Sequence, residues 1–203
     1  MTPRIAIVDY GMGNLRSVQK AIERVGYFAE ITQNPQKIRD ATHVVVPGQG
    51  AFCDAKRCLE KNKLIGAVIK AIESGKPFLG ICLGLQLLMT TSFENGNHKG
   101  LNIIPGAVIR FNGNMKIPHI GWNQLILKKS GIIFEGLANN SYAYFDHSYY
   151  VRPNDPSVIA ITTDYGGEFT SMIWKDNIIA TQFHPEKSQK VGLQILTNFG
   201  QMI

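Results

Sequence analysis

An α/β fold with a mostly parallel central sheet, helices on both faces and a strand-rich second half is what this sequence predicts, and three observations predict it. In the first half, short apolar runs alternate with helical patterns, the order in which a chain passes from strand to helix to parallel strand. The run Phe78–Ile81 breaks at glycine, presents Cys82 and restarts through Leu83-Gly-Leu-Gln-Leu-Leu-Met89. The second half changes to extended runs separated by turn residues.

Each element has its own signal. Ile5–Val8 is a strand, followed by a glycine-bearing turn and a helix over Asn14–Val25, where Leu15, Val18, Ile22 and Val25 recur every three or four residues. Phe28–Thr32 and His43–Val46 read as strands, Asp54–Ile72 as one long helix, and Phe78–Ile81 as the strand that delivers Cys82. Runs near Val108, Leu125, Tyr142–Tyr144, Ser148–Val151 and Val158–Thr162 look extended. Phe169–Trp174 meets Ile178–Phe183 across Asp176-Asn177, a pair that tolerates positive φ and invites a primed hairpin turn. A closing helix spans Ser188–Phe199, with Ser188 as its N-cap. Neither a repeat nor a linker interrupts residues 1–203, so a single domain is expected.

Chemistry concentrates at two places. Gly80 and Gly84 flank Cys82 at i−2 and i+2, the spacing a sharp strand-to-helix elbow needs to project a nucleophile. A thiol at a helix start also feels the positive end of the dipole, which favours the thiolate. A buried structural cysteine is the competing reading. The second place is the strand-like run Ile178–Phe183, which ends in His184-Pro185-Glu186. Histidine is the usual base for a cysteine nucleophile, and in an extended chain His184 and Glu186 share a face, so the carboxylate can fix the imidazole tautomer. Pro185 lacks an N–H and should end the ladder there. Alone, the His-Pro-Glu segment reads as a solvated strand end; beside the cysteine elbow it reads as the rest of a triad.

Two loops follow strands. Asp9-Tyr-Gly-Met-Gly-Asn14 tempts a dinucleotide-site reading, but a third glycine at the required offset is missing. Pro47-Gly48-Gln49-Gly50 surrounds one residue with glycines, which lets a peptide present its N–H toward a site. The N–H of Leu83, next after the nucleophile, is an oxyanion donor by position. Gln86 lies one turn after Cys82, and the strand ends gather all these groups on one edge of a parallel sheet.

Gly80-Ile-Cys-Leu-Gly-Leu-Gln86 with Gln182-Phe-His-Pro-Glu186 resembles the class I (triad) glutamine amidotransferases. The opening Ile5–Val18, Pro47–Phe52, Ile117-Pro-His-Ile-Gly-Trp-Asn123 and His147-Ser-Tyr149 narrow the resemblance to the branch that serves histidine biosynthesis. It covers essentially the whole chain and implies a three-layer, flavodoxin-like fold. It also implies a catalytic set of Cys82, His184 and Glu186, with oxyanion donors from the backbone of Gln49 and Leu83. Glutamine contacts would come from Gly48, Gln86, His147, Ser148 and Tyr149. Asn14, Trp122 and Lys187 would lie where a partner docks. That partner, in the family, is a (β/α)8-barrel cyclase subunit in a heterodimer, which receives ammonia released from glutamine. Ammonia free in neutral water is mostly protonated, which is why a second subunit is implied. Two residues depart from the pattern: Gln49, where relatives carry a small or β-branched residue, and Asp146, where an apolar one is commoner. The same glutaminase residues would serve a paralogue feeding a sugar-modifying synthetase; a catalytically silent binding subunit would not need the full set.

Composition sets the remaining bounds. The chain has 203 residues, 44% hydrophobic and 18% charged, ordinary for a globular protein with a sizeable core. A membrane span needs roughly 20 apolar residues, and no stretch approaches that. Without signal-peptide architecture the expected location is cytoplasmic. The net charge of +6 comes from scattered residues with no aromatic-interleaved basic stripe, so nucleic acid is not an expected partner. Cys53, Cys58 and Cys82 lack metal-type spacing and should be reduced thiols; no metal and no cofactor are expected.

Overall fold

A computed structural model describes residues 3–113 and 115–202. Apolar residues in the first half alternate between two destinations. In β1 (Arg4–Val8), Ile5 and Ile7 pack against α1 (Leu15–Arg24), while Ala6 and Val8 face the other side. β2 (Phe28–Thr32) is followed by α2 (Pro35–Asp40), then β3 (His43–Val46), α3 (Phe52–Lys61), α4 (Ile65–Glu73) and β4 (Phe78–Ile81). β3 and β4 are buried on both faces, which is why their sequences read as unbroken apolar runs.

After β4 come α5 (Leu83–Leu87), β5 (Met89–Ser92), β6 (His98–Lys99), β7 (Ile104–Arg110), β8 (His119–Gln124) and β9 (Ile126–Leu127). β10 (Tyr142–His147), β11 (Tyr149–Pro153), β12 (Ile159–Asp164), β13 (Glu168–Lys175), β14 (Ile178–Thr181) and α6 (Gln189–Gln201) complete the chain. The large sheet runs β2-β1-β3-β4-β14-β13-β11-β7-β5-β6, with β12 on β13 and β9 on β12. Its first five strands are parallel and follow the flavodoxin order. From β14 to β7 the pairing is antiparallel. One apolar layer joins α2, α3 and α4 to the sheet; the other joins α1 and α6, giving the three layers expected. β8 and β10 form a separate two-stranded ribbon.

Three sequence expectations change. The helix expected over 54–72 is two helices. Lys63 takes a left-handed φ of 55°, Lys63 N–H donates to Glu60 O at 2.9 Å and Leu64 N–H to Leu59 O at 3.0 Å, the double bond of a Schellman stop. α2 is an addition to the expected elements, although Asn34 caps it by accepting from Gln36 N–H and Pro35 occupies its first turn. Ser188 stands at the start of α6 but makes no side-chain cap, because its hydroxyl is used elsewhere. The β13–β14 hairpin is present with Lys175 opposite Ile178, Asp176 taking a φ of 51°. Among the described residues no helix is long and apolar enough to cross a membrane.

Candidate active site

β4 ends at Ile81, and Cys82 turns the chain with φ 54° and ψ −104°, a conformation unusual for a side-chain-bearing residue. The flanking glycines are required by close approach. A Cβ on Gly80 would lie 2.9 Å from the Gly84 carbonyl, and one on Gly84 only 1.9 Å from Val46 O. Cys82 N–H is fixed to Thr181 O at 2.7 Å, so β14 holds the elbow from the far side. The helix that follows is only five residues long. Side chains around the sulfur therefore supply more of its electrostatic environment than a long dipole would.

The chief of these is His184, buried beside the thiol and raised in pKa by it. Its Nδ1 meets Glu186 Oε1 at 2.8 Å, both side chains being almost wholly buried. The sequence places this pair on an extended chain; β14 instead stops at Thr181, and Pro185–Lys187 forms a 3-10 turn that brings the carboxylate back beneath the imidazole. The backbone of His184 is clamped as well. Its N–H donates to Tyr144 O at 2.9 Å, and its carbonyl accepts from Ser188 Oγ at 2.6 Å, while Ser188 Oγ accepts from Tyr144 N–H at 2.9 Å. Burial pulls the imidazole pKa down, but hydrogen bonds and charge from Cys82 and Glu186 outweigh it and push it up to about 10. The proton thus belongs on His184 between sulfur and carboxylate.

The loop after β3 forms the opposite wall. Tyr10 O–H donates to Pro47 O at 2.7 Å, and burial, with Cys82 and Cys58 nearby, holds that phenol protonated far above its usual range. Gly48 allows the loop to lie on α5, since a Cβ there would come within 2.7 Å of Leu83 Cβ. Gly50, at φ 92°, turns the loop into α3. Gln49 and Gly50 line a cleft of about 430 Å³ together with Cys82, Leu83, Gln86, Glu94, His147, Ser148, Tyr149 and His184, and with Pro118 and Asp146. Gly48 is not among the residues lining it.

A polar chain supports the far wall. Asn123 Nδ2 donates to Asp164 O at 2.9 Å and faces His119 Nε2 at 3.2 Å; His119 Nδ1 faces His147 Nε2 at 3.1 Å; His147 Nδ1 faces Tyr149 O at 2.8 Å. Since the last member is a carbonyl, each ring donates through Nδ1 and accepts through Nε2. Both rings are neutral: burial lowers His119 to about 4 and His147 to about 3, the latter despite its bond to Tyr149. Gln86 Nε2 donates to the same Tyr149 O at 3.1 Å.

Of the residues singled out in the sequence, Cys82, His184, Glu186, Gln49, Leu83, Gln86, His147, Ser148 and Tyr149 come together around or directly behind this cleft. Trp122 and Lys187 meet outside it, each against the Tyr144 ring, at 6.1 Å between ring centroids and 5.6 Å from Nζ. Asn14 lies elsewhere, at the start of α1 beside Gly13, which packs on Gly48. Asp9 closes the loop before it by accepting from Gly11 N–H and Gln33 Nε2, both at 2.9 Å. Two residues escape sequence reading. Glu94 lines the cleft and its Oε2 accepts from Phe52 N–H at 2.7 Å, capping α3; Gln182, inside the quoted motif, donates from Nε2 to Cys82 Sγ at 3.5 Å. Glu94 stands on a loop with no motif around it, while Gln182 has a signal in its place two residues before His184.

The chain belongs to the class-I glutamine amidotransferase family, whose model matches residues 6–202. Among curated relatives, the "Imidazole glycerol phosphate synthase subunit HisH" of Syntrophotalea carbinolica is 55% identical, covering 98% of this chain and 100% of its own. That of Aquifex aeolicus is 53% identical, covering 97% and 95%. The branch expected from the opening and Gly-Trp-Asn segments is borne out. In solved structures, PurLQS from Thermotoga maritima superposes with a TM-score of 0.75 at 20% identity, covering 99% of this chain and 97% of its own. The glutaminase domain of Trypanosoma brucei CTPS gives 0.67 at 18%, covering 100% and 95%. These two share the fold.

Proposed function

We propose that this chain, read as a single amidotransferase domain, is the glutaminase subunit of imidazole glycerol phosphate synthase. The observation that carries the chemistry is Cys82 held at φ 54° against a buried His184–Glu186 pair. Sγ attacks the side-chain amide carbon of glutamine, and the oxygen becomes an oxyanion facing the N–H groups of Leu83 and Gln49. His184 gives its proton to the departing nitrogen, the C–N bond breaks, and ammonia leaves a thioester on Cys82. Water, deprotonated by His184, then hydrolyses the thioester to glutamate, and the C–S bond breaks to regenerate the thiolate beside protonated His184. Glu186 holds the ring and offsets its charge throughout.

The acceptor of the ammonia, in this reading, sits in a (β/α)8-barrel cyclase subunit that forms imidazole glycerol phosphate and aminoimidazole carboxamide ribotide. Support comes from the full-length relatives that carry the synthase name, which favour this partner over a sugar-modifying synthetase. Three free cysteines suit a reducing compartment, and we place the protein in the cytoplasm. The test combines two measurements. Incubation with a diazo-ketone analogue of glutamine should add one adduct mass at Cys82. Mixing with the cyclase partner and its nucleotide should accelerate glutamate release and yield the imidazole product. A chain that takes up the analogue but supports no imidazole product with any such cyclase would retain glutaminase chemistry and lose this assignment.

A further inference from the structure

Gln182 has no part in these steps, yet its side chain is wholly buried. A buried amide must find partners, and its partners here are the nucleophile and another cleft residue. Nε2 donates to Cys82 Sγ at 3.5 Å, and Oε1 accepts from Gln86 Nε2 at 3.2 Å. The direction of these bonds is set from outside. Tyr149 O can only accept, so the Gln86 atom facing it at 3.1 Å is the amide nitrogen. That nitrogen also faces Gln182, whose near atom must then be the carbonyl oxygen. What remains pointing at the sulfur is the NH2 group. A main-chain carbonyl of β11 thereby fixes a donor on the nucleophile, through two glutamines that lie on α5 and just past β14.

A donor discriminates between the two states of sulfur. The thiol is a weak acceptor, whereas the thiolate is a charged one, and bonds to charged groups are stronger. His184 touches the sulfur as acid and base; Gln182 has no proton to exchange. Resting on the reading of Cys82 as nucleophile, we propose that Gln182 is a further catalytic residue, whose amide stabilises the attacking thiolate and whose carbonyl holds Gln86 at the glutamine cleft. The titratable groups around this sulfur are His184 with Glu186 and Tyr10 from the first loop, and Glu94, Asp146 and His147 line the same cleft.

The experiment uses the complex with the cyclase partner and two variants of matched length. Gln182→Met removes donor and acceptor; Gln182→Glu keeps an acceptor toward Gln86 and puts a carboxylate oxygen on the sulfur. Alkylation of Cys82 by iodoacetamide, followed by mass spectrometry, should slow about tenfold in Gln182→Met at about pH 7 and converge with the wild type at about pH 10. Gln182→Glu should be slower still near neutrality, and kcat should fall in both by at least the same factor. In the unmodified protein, the Gln182 side-chain amide signals in an NMR spectrum should move as Cys82 ionises and lose that movement in Cys82→Ala, a readout independent of whether either Gln182 variant folds. Alkylation profiles that match the wild type across this pH range, or amide signals indifferent to Cys82, overturn the proposal. A wild-type Cys82 that resists both iodoacetamide and the diazo-ketone analogue instead overturns the nucleophile reading itself.

Discussion

The parallel half of the sheet and the antiparallel half each contribute one wall of the cleft, and they do so by different means. The parallel half, β1 to β4 with their helices, acts through backbone: Cys82 at positive φ, Gly80 and Gly84 stripped of Cβ, and a Pro47–Gly50 loop laid on α5. The antiparallel half, the β8–β10 ribbon and the segment just past β14 act through side chains whose donors and acceptors are fixed in direction, from Asn123 through His119 and His147 to the Tyr149 carbonyl, and from Gln182 to the sulfur. Backbone geometry places atoms closely but carries no net charge; oriented polar side chains set protonation. A cysteine hydrolase needs both, and here each half of the fold provides one.

Substitutions in the two halves should therefore fail differently. The largest effect is Cys82→Ala, which should lower glutamate release by about 10⁴-fold or more, while product formation from added ammonium salts persists in the assembled complex. Next is the loop. Gln49→Pro removes one N–H and should cost about 10²–10³-fold in turnover, whereas Gln49→Ala keeps it and most of the activity. Equal damage from both would transfer the role to the side chain and blur the contrast between halves. Gly84→Ala should follow, costing about 10²-fold in glutamate release and about 1–3 kcal/mol in a denaturant melt, because the new Cβ meets a main-chain oxygen that cannot step aside.

The side-chain half should respond to pH instead. His147 is depressed from 6.5 to about 3, so the folded protein binds fewer protons than the unfolded one in that interval. The stability it contributes is intact above 6.5 and is lost on acidification, at up to about 1.4 kcal/mol per pH unit down to its folded value. His184 has the opposite sign. Raised to about 10, it contributes stability present below 6.5 and lost as pH climbs through 10. Urea titrations across this range should show both limbs, the acid limb flattening in His147→Asn. The smallest expected change is Lys187→Ala. This half-buried residue on the ribbon side should weaken partner affinity by about 0.2–1 kcal/mol, read by titration calorimetry at low salt.

The same division explains what the sequence discloses. Backbone devices leave local marks: the glycines around Cys82, the Pro-Gly-Gln-Gly run and the apolar strands are all visible within a few residues. The span 54–72 reads as one long helix because apolar spacing continues through both segments and the stop is made by Lys63, a residue with no turn signature. Asn34-Pro35 does carry a helix-start signal, one too short-ranged to stand out without the periodic run that usually follows. His184 and Glu186 pair on an extended chain in the sequence and on a 3-10 turn in the structure; contact at two residues' spacing survives either geometry. Gln182 on Cys82 and His119 on His147 join positions 100 and 28 residues apart, so nothing local announces them.

Tyr149 O receives both His147 Nδ1 and Gln86 Nε2. A carbonyl oxygen has two lone pairs, and both are occupied before any substrate arrives. The anionic acceptors left along the cleft are the carboxylates of Glu94 and Asp146. Aspartate at 146 thus adds a negative charge to the wall of the cleft that holds Cys82.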